Sequence, residues 1–269
     1  MDEDQHDEIP YLPRELIKPG QLREALANLQ FLGDDPFLRM QAMNLDIVDQ
    51  FLTDLEYKVL RELHQEERTP PNAFFLNAQS QMWIFAVYEL IRTWEERAKD
   101  IIKWANNGGL QHKLTHLESK QKGFMHFGRE IRIDQLKAVI AEPKLVHVLE
   151  RQLKHIHVQY ERLTYIRVAL AKHQVSGKAK SIALNPGYGR INTWCGALDY
   201  VMENGQVHLG TISRRDIADG LRALRLDDEP PSVESLLAFD EFMKATPPTD
   251  FPLDENSKLP GEALGGDRR

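Results

Sequence analysis

Three stretches of this chain repeat apolar residues at spacings of three and four over many turns, a periodicity that only long helices packed on one another can bury. The first is Leu45, Val48, Leu52, Leu55 and Val59. The second is Trp83, Val87, Leu90, Trp94, Ala98 and Ile101, broadened by Phe75, Phe85 and Tyr88. The third is Val146, Leu149, Leu153, Ile156, Tyr160 and Leu163.

Punctuation residues set the limits of these helices. Asp35-Pro36 is an N-cap followed by proline at the first helical position, so a helix starts there and lasts to about Glu67. Pro70-Pro71 closes it, Asn72 reads as the next cap, and a second long helix is expected over 73–106, ended by Asn107-Gly108-Gly109. Pro143 opens the third. Shorter helices are expected near Gln21, over 110–120, from Asp134, from the Ser213-Arg-Arg-Asp216 capping box to about Leu226, and over 232–245. Leu198, Tyr200 and Met202 alternate up to Asn204-Gly205, and Val207, Leu209 and Thr211 alternate away from it, which is a hairpin signal. The expected fold is mainly α: an antiparallel bundle of long helices with a small β-hairpin, about 196–212, near its C-terminal side. An acidic N-terminal arm (1–19), one helical domain (20–246) and a disordered tail (247–269) rich in proline, glycine and charge complete the reading.

Cellular setting follows from what is missing. The lone Cys195 has no internal disulfide partner and no zinc-ligand pattern around it. The acidic start lacks the positive and apolar regions of a secretory signal, and the most apolar run, 82–91, is half of the ~20 residues that cross a bilayer. A cytoplasmic protein without membrane partners is expected. No metal site or cofactor is expected either. His112 and His116 are four apart, and His147, His155 and His157 lie along the third long helix, but there is no HExxH, Walker spacing, G-x-S-x-G or G-x-G-x-x-G.

Charge is distributed unevenly. In a chain of net charge −7, residues 162–198 hold no acid and six cations: Arg162, Arg167, Lys172, Lys178, Lys180 and Arg190. Tyr165, Tyr188 and Trp194 interleave them, as aromatics do where bases stack, although each also suits a core. The count that runs through Leu163 lands next on Arg167, then on Leu170. A guanidinium in an apolar seam needs a partner: a carboxylate of another helix, water reached by snorkelling, or an anion such as phosphate in a cleft. His173 follows six residues later, with a side chain suited to proton transfer near neutral pH. Six residues on an ideal helix turn about 240° and rise about 9 Å, so the two side chains meet only across a helix break or between two chains.

Tyr165-Ile-Arg-Val-Ala-Leu-Ala-Lys-His173 resembles the arginine-to-histidine signature of HEPN domains, the helical nucleotide-binding domains of prokaryotic defence and toxin systems. Long antiparallel helices precede it, as in that family, although Val168 stands where the family often has a polar residue. The resemblance implies a homodimeric, metal-independent endoribonuclease in which Arg167 stabilises the scissile phosphate and His173 acts as acid or base. RNA binding by Arg162, Lys172, Lys178, Lys180, Tyr188 and Arg190 is expected from the acid-free run and its aromatics, and a regulatory protein partner is expected beside such an enzyme. The alternative class is a non-catalytic helical interaction or scaffold protein, with Arg167 structural.

Overall fold

The computed structural model describes residues 11–120, 126–172, 187–204 and 207–244. The proposed disordered tail lies outside them, as do the first ten residues of the acidic arm. A single 3-10 turn, Arg14–Leu16, leads into α1 (Gln21–Ala27), α2 (Pro36–Glu66), α3 (Asn72–Asn106), α4 (Leu110–Ser119), α5 (Phe127–Ala141) and α6 (Lys144–Lys172). Strands β1 (Gly189–Ile191), β2 (Leu198–Asn204) and β3 (Val207–Ser213) follow, then α7 (Arg214–Arg222) and α8 (Val233–Met243). No helix of the described residues is long and apolar enough to cross a membrane.

The mainly helical fold follows from the three long periodic stretches. α3 is central, with α2 on one side and α6 on another. Its Trp83 and Trp94 are almost fully buried, and each indole N–H finds a backbone oxygen: Trp83 Nε1 donates to Leu45 O at 3.1 Å and Trp94 Nε1 to Gln30 O at 2.9 Å. The two largest core side chains thus also tie α3 to α2 and to the segment after α1. The Asp35 carboxylate accepts from the backbone N–H groups of Phe37 (2.9 Å) and Leu38 (3.1 Å), and Arg97 of α3 pairs with its other oxygen at 2.6 Å. One residue therefore caps α2 and fixes it to α3.

Four local expectations need correction. Asn72 is the first residue of α3 rather than its cap, because Pro71 already has helical dihedrals; its amide donates instead to Glu62 of α2 at 3.0 and 2.9 Å. α5 starts at Phe127, not Asp134, and an edge-on contact of Phe127 with Phe37 (5.8 Å) gives that early turn a tertiary partner that periodicity does not register. α7 stops at Arg222, and Leu224 and Leu226 reach the core from non-helical chain. The hairpin is two strands of a three-stranded antiparallel sheet in the order β1-β2-β3, pairing Gly189 with Tyr200 and Tyr200 with Ile212. β1 is only three residues long, too short to show an alternating pattern.

The segment from Tyr11 to Gly20 lies against the body. Ile17 is buried, Arg14 pairs with Asp54 of α2, and Leu12 O accepts from Arg215 of α7 at 2.6 Å.

Candidate functional site

Arg167 is half-buried on α6, and its guanidinium lies 5.1 Å from the ring centre of Tyr88 on α3. Tyr88 stacks in turn on Tyr160, with rings 5.9 Å apart and 5° from parallel. The seam position is therefore satisfied by cation–π stacking, and among the described residues Arg167 forms no ion pair with a carboxylate. Arg162 is half-buried and Lys172 exposed. Five residues turn an α-helix by about 140°, so Arg162, Arg167 and Lys172 point in three different directions around α6. The run of cations in the sequence is not one patch on this helix. Tyr165 is core, its phenol pushed up to about 12 by burial and then by the Glu203 carboxylate.

Tyr188 and Arg190 are carried on the sheet. Gly187 O accepts from Asn77 (3.2 Å) and Gln81 (3.4 Å) of α3, which anchors the chain entering β1. Gln81 precedes Tyr88 by seven residues, about 10 Å along the helix. Tyr188 is exposed, and Arg190 stands opposite Asp199 across the β1–β2 pair. Burial raises the Asp199 carboxyl pKa, against hydrogen bonding from Asn192 and the charge of Arg190. His173, Lys178 and Lys180 lie outside the described residues. No group of three His, Cys, Asp or Glu able to hold a metal occurs among the described residues.

A second cluster of arginines is sealed in the body. Arg214 is fully buried, grips both oxygens of Glu56 at 2.7 Å, pairs with Asp49, donates to Thr53 at 3.2 Å and stacks on Trp83. Arg215, also fully buried, reaches Glu56 at 3.3 Å and Asp219 at 3.0 Å, and Arg222 pairs with Asp49 and Asp219. Burial acts to lower the Arg214 pKa, and the Glu56 and Asp49 carboxylates more than offset it, holding it above the ordinary arginine value. Three guanidinium groups face three carboxylates, so the cluster is neutral as a whole and has no charge to offer an anion. It anchors α7 to α2.

The outer side of α2 carries a run of large apolar side chains. Met40, Met43, Ile47 and Phe51, spaced by three and four, are 52, 42, 58 and 53 % exposed. They make one stripe of large apolar side chains turned to solvent. Farther along the same face the residues are Asp54, Lys58, Arg61 and Gln65, all exposed and all polar. α3 continues the apolar half: Phe75 meets Phe51 edge-on at 6.4 Å, and Met82 stands exposed two turns on. Between the helices runs a groove of about 430 Å³ floored by Leu45, Val48, Met82, Trp83 and Ala86 and edged by the polar Gln41, Asn44, Gln79 and Glu89. Phe37, in contact with Phe127, extends the surface towards α5.

No family model, curated protein or solved structure matches this chain. The site must then be judged on its chemistry alone. The stripe offers no nucleophile, acid–base pair or cluster of charge. What it offers is apolar area on rigid helices, the ordinary material of a protein interface.

Sequence reading missed this surface because α2 was assigned a single stripe. Two are present, about 120° apart on the helix: the core stripe and Met40–Met43–Ile47–Phe51, whose spacing was available in the sequence. Val48, assigned to the core stripe, lies at the boundary and is 37 % exposed. The buried arginines were missed as well. Their signal was Asp49, Thr53 and Glu56, polar residues four and three apart along the buried side of α2.

Proposed function

We propose that this chain is a non-catalytic helical interaction protein that docks a protein partner on the outer face of α2 and α3. The observation that carries this reading is the change of character along one solvent-facing side of α2, apolar up to Phe51 and charged from Asp54 onward. A helix face exposed uniformly to water has no physical reason to change in this way. A contact that covers only its first half supplies one. Methionine contributes three of the exposed side chains, Met40, Met43 and Met82, and its flexible thioether adapts to a partner's contours.

Position-specific photo-crosslinking in cells tests the reading. A benzophenone side chain placed at Phe51 should give protein adducts that the same group at Arg61, on the charged half of the same face, does not. Equal adduct formation at the two positions would reject the docking surface.

A second reading has one observation in its favour: Arg167 keeps its charge unpaired by any carboxylate among the described residues. On this reading Arg167 and His173 serve a metal-independent RNA-cleaving site of HEPN type. Arg167→Ala and His173→Ala should then each abolish cleavage of single-stranded RNA by a folded protein. If the native chain leaves RNA intact, or the variants cleave as well as it does, this reading is lost.

A further inference from the structure

We infer that the partner seated on the α2–α3 face is a second copy of this chain, related by a two-fold axis that passes close to Ile47. This inference rests on the docking reading above and adds the identity of the occupant. Three observations lead to it.

The first is extent. Phe37, Met40, Met43, Ile47, Val48, Phe51, Phe75 and Met82 are each between about a third and two thirds exposed. At roughly 100 Å² of remaining surface apiece they offer on the order of 800 Å², which is what one side of a standard stable interface buries. The second is self-complementarity. Within the stripe Ile47 has Met43 four residues to one side and Phe51 four to the other, about 6 Å each way. Two α2 helices crossing antiparallel at Ile47 put Ile47 against Ile47 and each Met43 against the other copy's Phe51, apolar against apolar at the centre of the contact.

The third is charge. Arg39 stands at one end of the stripe and Asp54, which already pairs with Arg14 of its own chain, at the other, both exposed. Antiparallel pairing brings each Arg39 towards the other copy's Asp54, twice by symmetry, as a second cation on that carboxylate, whereas a parallel pairing would set the two Arg39 groups together. By the same count Lys58 comes opposite Pro36 at the rim, and Arg61 and Gln65 fall outside the contact.

The geometry also says what this dimer does not do. Tyr88, on which Arg167 stacks, is turned about 140° around α3 from Phe75 and about 160° from Ala86. A dimer through the outer face therefore leaves the two Arg167 groups on sides turned away from the axis, and it does not join them in one cleft.

Disulfide trapping in the full chain tests the inference. The only native cysteine, Cys195, is fully buried and its thiol is pushed up to about 12 by burial, so it gives a silent background. Ile47→Cys places a thiol on the axis. Gln65→Cys places one eighteen residues away on the same face, about 27 Å along α2 and outside the contact. Paired thiols at an effective concentration on the order of mM should give at least about tenfold more covalent dimer in Ile47→Cys than in Gln65→Cys under mild oxidation at µM chain. Equal yields, or a native chain that sediments as a monomer across the same concentrations, would overturn the second copy as occupant. Adducts from Phe51 with a mass other than twice the chain would overturn it too while leaving the docking surface standing; loss of Phe51 adducts altogether would remove both.

Discussion

Glu161 shows how a single buried carboxyl writes pH into this fold. It is half-buried on α6, where burial raises its pKa; His157 opposes the rise, and Asp240 and Glu95 add to it. His157 is itself hydrogen-bonded to Asp240 of α8 at 2.7 Å. A carboxyl whose pKa is raised on folding is more easily protonated in the folded state. Its ionised form therefore costs stability above the folded pKa, and the cost vanishes below the unfolded value. Glu161→Gln should raise the melting temperature at pH 7 to 8, by a stability gain under about 1 kcal/mol given solvent screening, and the gain should fade as pH drops through the carboxylate range. Thermal melts of both proteins over that range check it. A variant less stable than the native chain at pH 7 would show that the charge is being used rather than tolerated.

At the scale of elements, α7 depends on charge more than on its length. It has nine residues, and Arg214 and Arg215 at its start are as buried as the apolar Ile217, Ala218 and Leu221. Removing Arg214 leaves Glu56 and Asp49 short of a cation inside the protein, so Arg214→Ala should cost about 3–5 kcal/mol in urea unfolding. A loss below about 1 kcal/mol would mean that water reaches the cluster. The long helices were legible in the sequence because burial of one face imposes a period over many turns, as with Leu45 to Val59. The Ser213–Asp216 capping box was legible too, with Asp216 accepting from Ser213 N at 2.7 Å. The environment of Arg214 and Arg215 was not, because adjacent arginines inside a cap motif look solvated unless their carboxylates, some 160 residues earlier in the chain, are known to face them. β1 and the first turns of α5 escaped for a similar reason, since their partners are distant in sequence and their own patterns too short.

For the whole molecule, Arg167 of the predicted basic site and the observed apolar face lie on different sides of α3. The sequence drew attention to 162–198 through charge, which is conspicuous when counted along the chain but disperses once α6 points Arg162, Arg167 and Lys172 in three directions. The outer face was inconspicuous, because exposed methionines and phenylalanines in a helix resemble core residues until the true core is known. Its boundary at Phe51 is the feature on which the docking proposal rests. Sedimentation equilibrium on the native chain and on Ile47→Glu tests this most directly, because Ile47 is exposed and its replacement leaves the core untouched. The native chain is predicted to sediment at twice its mass, and the variant, with unchanged helical circular dichroism, at the mass of one chain. Equal masses for the two proteins would contradict the account.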